Sequence, residues 1–484
     1  MKLRPYHLVA LLLIVSAMAV AQTPHYQAHF PPEEFKARWQ KVFDQIGDRA
    51  VAIVQGVSLA RGYALPRQSN EFYYLSGIET PGAYVLLDGR TRKTTIILPP
   101  RNERLERSEG KVLSAEDAEL VKQLTGADAV ASTKAMGEEW LTELMKVPAP
   151  AIYTMFTPAE GSAESRNEIQ NANAAIAADY WDGRVSREAH FVNLLRTRAP
   201  RADVRDLTAI LDEMRSVKST REIALIRRAS QLAGLGILEA IKSTKAGLYE
   251  DQLDAASRYI FLAGGARLEG YRSITAAGTA NIWNAHYYRN NAQLKDGDLV
   301  LMDFAPDYGY YTSDVTRMWP INGKYSPVQR ELLQFVLEYR NAVLKLIRPG
   351  ITSKEIIEQA KLAIEPVLAR TKFSKPVYEQ AARKMVETSG GTLSHPVGLA
   401  VHDDGPYNRG TLKVGHVFSI DPQLWVPEEN LYIRYEDVIV ITPNGYENFT
   451  DFLPTELNEL EKLVGQGGIA LKLQPAADKE LIKR

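Results

Sequence analysis

Leu299-Val-Leu-Met-Asp303-Phe-Ala, followed after Pro306-Asp-Tyr-Gly309 by Tyr310-Tyr-Thr-Ser-Asp314-Val-Thr-Arg317, is the stretch on which the fold turns. An unbroken apolar run implies a strand buried on both faces, and here a carboxylate follows it directly. A turn centred on Tyr308-Gly309 would set Asp303 directly opposite Asp314. The pattern recurs in Val417-Phe-Ser-Ile-Asp421-Pro and Leu431-Tyr-Ile-Arg-Tyr-Glu436-Asp-Val-Ile-Val440. A turn at Glu428-Glu429 there sets Asp421 opposite Glu436. Cross-strand partners have Cβ atoms about 4.5–5.5 Å apart. Like charges that close repel unless a cation lies between them, and burying an unpaired carboxylate is prohibitive. Four carboxylates with a nearby histidine form the ligand set of a two-metal hydrolase, whose ions lie about 3.5–4 Å apart. Oxygen-rich ligands favour Mn²⁺, Mg²⁺ or Co²⁺, and a histidine shifts the choice toward transition metals.

Outward from these hairpins, the C-terminal half alternates long helical patterns with short strands. Helical periodicity covers Asp206–Lys242, Glu250–Ala263, Ser326–Leu346, Ser353–Ala369 and Pro376–Glu387, with strands around Tyr271–Ala277 and from Val417 to Ile441. This predicts an α+β domain over residues 205–465. The N-terminal half reads as a smaller α/β domain over 27–195. Pro31-Pro32-Glu-Glu-Phe opens a helix, and Arg49–Gly56, Phe72–Gly77, Ala83–Gly89 and Lys93–Pro99 read as strands. Helical patterns follow at Ala115–Leu124, Lys134–Lys146 and Glu164–Ala178. Arg196-Thr-Arg-Ala-Pro-Arg201 reads as a linker, and residues 466–484 read as a loosely ordered tail.

The chain has 484 residues and a net charge of −1, with no cysteine. Disulfides are therefore excluded, and nothing suggests nucleic acid or an anionic membrane as a partner. The start, Met1-Lys-Leu-Arg and an apolar run to Val20, closes on Ala19-Val20-Ala21. It has the form of a secretory signal peptide cleaved before Gln22. The expected product is an exported, periplasmic or extracellular protein with no membrane contact after cleavage.

His286 in Trp283-Asn-Ala-His286-Tyr, and His395 and His402 in Gly390-Gly-Thr-Leu-Ser-His395-Pro-Val-Gly-Leu-Ala-Val-His402-Asp-Asp-Gly405, are interleaved with the acidic hairpins and point to one site. His25, His29, His190 and His416 read as surface residues.

These segments, with Met214-Arg-Ser-Val-Lys-Ser-Thr-Arg-Glu-Ile-Ala, Leu301-Met-Asp303-Phe-Ala, Thr312-Ser-Asp314-Val-Thr-Arg317 and Ile433-Arg-Tyr-Glu436-Asp437, resemble the pita-bread metallopeptidases, in their aminopeptidase P and prolidase branch. Phe72-Tyr-Tyr-Leu-Ser-Gly77 looks like that family's creatinase-like N-terminal domain. The resemblance implies a pita-bread catalytic domain after a creatinase-like one, and a homodimer or larger homo-oligomer. It also implies two divalent metals, Mn above Co or Zn, and cleavage of the bond before proline in a peptide or dipeptide by a metal-bridging water.

By the same resemblance the metal ligands are Asp303, Asp314, His395, Asp421 and Glu436, with Asp303 giving both oxygens and Asp314 and Glu436 bridging. His286 would face the scissile peptide and His402 would donate to the tetrahedral intermediate. The residue at 421 would also shuttle the proton. Arg434 would orient the carboxylates from behind, and Trp283 and Tyr287 would either line the proline pocket or serve equally well as packing. Two positions depart from the family pattern: Asp421 replaces a usual glutamate, and Gly391 replaces a histidine. These departures keep open a second reading, a non-catalytic binding protein on the same fold. A metal-free creatinase-type hydrolase fits less well, because the acidic ligands are present.

Overall fold

The computed structural model describes residues 26–58, 62, 67–137, 140, 146, 150–389, 391 and 393–472. The signal-peptide reading of residues 1–21 lies outside these residues, as does most of the helical pattern at Lys134–Lys146. Among the described residues no helix is long and apolar enough to cross a membrane.

The N-terminal half is a mixed six-stranded sheet in the order β4-β3-β2-β1-β5-β6. Its strands are β1 (Ala50–Gln55), β2 (Tyr84–Asp88), β3 (Lys93–Leu98), β4 (Ala129–Ser132), β5 (Ala151–Thr154) and β6 (Asp203–Asp206). Helix α1 (Pro32–Ile46) has proline in its first turn and Glu33 and Glu34 at the positive end of its dipole. Phe72–Gly77, expected to be a strand, belongs instead to helix α2 (Asn70–Ser76), ended by Gly77 at φ 63°. Every side chain of α2 is buried, so its sequence lacks the polar face that marks a helix. The supposed linker at 196–201 is the end of a helix, Arg187–Arg198, and the turn into β6. The N-terminal sheet therefore runs to residue 206, past the expected limit of 195. Helix α3 (Arg166–Ala178) leaves this half with only Arg166 buried.

The C-terminal half opens with α4 (Thr208–Ser216) and α5 (Thr220–Ser243), the latter started by a Ser219–Glu222 capping box. Its sheets contain β7 (Ile274–Ala277), β8 (Leu299–Asp303) and β9 (Thr316–Pro320), then β10 (Val417–Ile420), β11 (Gln423–Val426), β12 (Leu431–Arg434) and β13 (Asp437–Thr442). The three long helices α6 (Pro327–Leu344), α7 (Ser353–Arg370) and α8 (Pro376–Glu387) fall within a few residues of their predicted spans. Part of the expected tail is structured, since residues 469–472 form a turn of helix and Gly468 N–H bonds to Lys242 O at 3.0 Å.

The two halves share a core. One continuous apolar cluster includes Phe35, Tyr73 and Val85 from the first half and Ile226, Tyr311, Val417 and Val438 from the second. Tyr73 stacks on Tyr310 with ring centroids 3.5 Å apart.

Candidate metal centre

The first acidic hairpin is shifted from its expected register. Asp303 lies opposite Thr316, and the turn pairs Tyr308 with Tyr311. Gly309 and Tyr310 both take positive φ, 61° and 75°, as a primed two-residue turn requires. Tyrosine accepts that conformation here because its ring is fixed on Tyr73. The turn thus falls one residue later than expected, and Asp314 becomes the diagonal neighbour of Asp303 rather than its direct partner. A shift of two preserves the face, so both carboxylates still point the same way.

The second hairpin has the expected register. Gln423 pairs with Arg434 in β11–β12, and Ile420 pairs with Asp437 in β10–β13. Both ladders, extended, bring Asp421 opposite Glu436. Those two residues sit where one sheet ends and the other begins. There the backbone turns to new partners: Glu436 N–H bonds to Thr316 O at 3.2 Å, and Asp421 N–H bonds to Gly391 O at 2.9 Å. Thr316 thus faces both Asp303 and Glu436, and a row of side chains crosses the strands on one face. His395 joins it because residues 394–397 run along β10, with Ser419 N–H bonded to His395 O at 2.9 Å.

All four carboxylates are buried, none more than 2% exposed. Asp303, Asp314 and Glu436 offer oxygens within 4.8 Å of one another, and Asp314, His395 and His402 form a second such triplet. His395 Nε2 lies 3.3 Å from Asp314 Oδ2 and 3.8 Å from Glu436 Oε1. Arg434 bonds three of the carboxylates at once: Asp303 at 2.6 Å, Asp421 at 2.7 Å and Glu436 at 2.6 Å. One guanidinium against four carboxylates leaves the cluster short of positive charge. Burial, then the neighbouring carboxylates, hold Asp314 and Glu436 well above the usual carboxylate range. Burial also lifts Asp303, but Arg434 and Tyr271 outweigh it and keep that residue low. Glu436 Oε1 is buried without a hydrogen-bond partner. A cluster with this deficit and an orphaned, inward oxygen fits divalent cations.

Some assigned roles change. Asp303 has Tyr271 Oη at 2.6 Å on one oxygen and Arg434 on the other, so chelation by both would displace a donor. Asp421 directs its oxygens to Arg434 and Gln423 and falls outside both triplets. His402, expected only as a donor, stands beside His395 with ring centroids 4.1 Å apart. Burial and the two neighbouring histidines push His402 down to about 3, so it is neutral at physiological pH. His286 is exposed, with Nδ1 3.3 Å from Glu168 Oε1 on α3. Trp283 packs edge-on against Trp425 at 5.1 Å rather than bordering the cleft. Tyr287 borders it, but its hydroxyl is bonded to Glu250 at 2.9 Å. His416, expected on the surface, is 2% exposed, and burial holds it down to about 4.

Tyr271 and Gln423 carry no signal of their roles in the sequence. Nor does the sequence show the charge network behind His402. There Arg215 joins Asp403 to Glu160 of the N-terminal half, and Lys218 Nζ lies 3.0 Å from Asp403 Oδ2.

The family model for the aminopeptidase P N-terminal domain matches residues 35–153, and that for metallopeptidase family M24 matches residues 224–443. Residues 224–443 thus carry a metallopeptidase family M24 domain. The chain's relatives include the Xaa-Pro aminopeptidases of Haemophilus influenzae, 29% identical, and Escherichia coli, 28% identical. The alignments cover 91% and 89% of this chain and 99% and 97% of those relatives. Among solved structures, proline aminopeptidase P II from Yersinia pestis superposes with TM-score 0.70 and 27% identity, covering 90% of this chain and 99% of that one. The Pseudomonas aeruginosa aminopeptidase PepP gives TM-score 0.73 at 25% identity, covering 90% and 98%. This M24 chain is thus an Xaa-Pro aminopeptidase-like metallopeptidase, built from the two-domain architecture of that group. Family membership implies divalent metal ions, and the buried acidic cluster is the place where they fit.

Proposed function

We propose that this chain is an exported Xaa-Pro aminopeptidase that uses two divalent cations, Mn²⁺ foremost, and acts as a homodimer or larger homo-oligomer. The observation that carries the reading is the face shared by Asp303, Asp314, Glu436 and His395, with Arg434 the single internal cation, among the described residues, against four buried carboxylates. Those residues, with Asp421 beside them, would hold the ions, and the ions supply Lewis acidity and an acidic bound water. The chain's own groups do the rest. His402, neutral and partly buried, can donate a hydrogen bond to a polarised peptide oxygen. Exposed His286 can meet the peptide from the solvent side of the cleft. Arg434 and the Tyr271 hydroxyl hold the carboxylates in fixed orientations.

The direct test is release of alanine from Ala-Pro and Ala-Pro-Leu after loading with Mn²⁺, Co²⁺ or Zn²⁺, with metal content measured on the same sample. Release with about two ions per chain supports the reading, and inactivity with all three metals overturns it. Sequencing of the secreted protein from its native host should start at or near Gln22. Light scattering should give at least twice the mass of one chain.

A further inference from the structure

The carboxylate cluster is flanked by two cavities that share no lining residue. The catalytic cleft, of about 160 Å³, runs from Asp303 and Asp314 past His286 to Glu164 and Glu168 beside α3. Its two arginines are engaged: Arg434 holds three carboxylates, and Arg272 bonds Tyr288 O at 3.2 Å and lies 4.0 Å from Asp254. Its outer end is therefore acidic. The second cavity, of about 540 Å³, lies against α8. It borders the cluster at Gly391 and Gln423, each hydrogen-bonded to Asp421. Met385, Leu393 and Trp425 give it an apolar wall, and among its described lining residues Lys384 alone is charged. Small-ligand sites span roughly 300–1,000 Å³, so this volume suits more than a layer of water.

A peptide carries opposite charges at its two ends. Two cavities of opposite charge on either side of a hydrolytic centre fix which way round it lies. We propose that the ammonium end of the substrate points to Glu164 and Glu168, while the leaving segment, from proline onward, occupies the 540 Å³ cavity with its free carboxylate on Lys384. The preferred substrate class is then a short peptide with an apolar residue after proline and an unblocked C-terminus. This rests on the peptidase reading above. Lys384 acts as a specificity residue, exposed on α8.

The test compares Pro-Leu with Pro-Leu amide by calorimetry on the metal-loaded protein. The wild type should bind Pro-Leu about fivefold more tightly than its amide, the upper range for a partly exposed ion pair. Lys384→Ala should abolish the preference and Lys384→Glu should reverse it. The double variant Glu164→Gln/Glu168→Gln should keep the preference but raise KM for Ala-Pro-Leu. Equal binding of acid and amide to the wild type, binding of neither, or a preference that survives in Lys384→Ala overturns the assignment. Binding with the expected preference but no release of alanine from Ala-Pro-Leu would sink the peptidase reading and leave the cavity assignment standing.

Discussion

Gly391→Ala is the smallest change that probes how this site is held. Gly391 has φ 75°, and a Cβ built on it would stand 1.6 Å from the carbonyl oxygen of Asp421 and 2.6 Å from its carbonyl carbon. Real Cβ contacts are not closer than 3.0 Å, so the loop or the strand end must give way by at least 1.4 Å. Both atoms it meets are backbone, and no side chain can swing aside. The positive φ adds about 1–2 kcal/mol of strain for any residue with a Cβ. The Asp421 N–H bond to Gly391 O ties the two segments, so the displacement passes to the Asp421 carboxylate. Functional constellations tolerate about 0.5 Å, and a misplacement of 1 Å can lower a rate about 100-fold. Gly391→Ala should therefore lower kcat/KM for Ala-Pro-Leu about 100-fold and weaken Mn²⁺ affinity in a chelator competition, with urea unfolding confirming a folded protein. A variant within threefold of wild type in both would refute the coupling between 391 and 421. Gly391→His, which installs the family's usual residue, meets the same oxygen and should do no better.

Asp421→Glu lengthens the side chain by about 1.5 Å against Arg434 and Gln423, and turnover should fall at least about tenfold; a tenfold gain, about 1.4 kcal/mol of barrier, would show that the backbone has not adapted to Asp. Asp314→Asn should lose bound metal in elemental analysis, because an amide does not bridge two cations as a carboxylate does; full occupancy would contradict a dinuclear site. Glu71→Gln bears on the buried network between the halves. Burial, then Glu160 beside it, raises Glu71 to about 7, so the folded state holds its proton more tightly than the unfolded chain. That contribution is complete below the ordinary glutamate value of 4.5 and is lost as pH rises through about 7. The glutamine variant, which mimics the protonated form, should exceed wild type in urea midpoint at pH 8 and approach it at pH 5; a variant weaker at pH 8 would show that the charged form is favoured.

The parts of the site legible in the sequence were those set by local pattern. Strand period and turn length placed Asp421 against Glu436 without any tertiary information. The same reasoning misplaced Asp314 by two residues, because the turn responds to Tyr310 stacking on a ring 237 positions earlier in the chain, Tyr73. Phe72–Gly77 misled for a related reason: a helix buried all round shows no periodicity. Tyr271, Gln423 and the Glu160–Arg215–Asp403 chain were invisible, since each is defined by what the fold brings beside it. The long amphipathic helices carried their own boundaries in proline and capping residues, and α8 ran from Pro376 to Glu387 as read.

The apolar cluster that runs through both halves limits how such a chain can diversify. A cut at residue 206, where the N-terminal sheet ends, would expose Ile226, Val417 and Val438 on one fragment and Phe35 and Tyr73 on the other. It would also strand Arg215 without Glu160. Neither half is a free-standing cassette, so grafting the first half of a distant relative onto this second half should give insoluble chimaeras. Sequence drift on one side of the seam must be answered on the other, and new specificity is more accessible through exposed additions such as α3 than through exchange of whole domains.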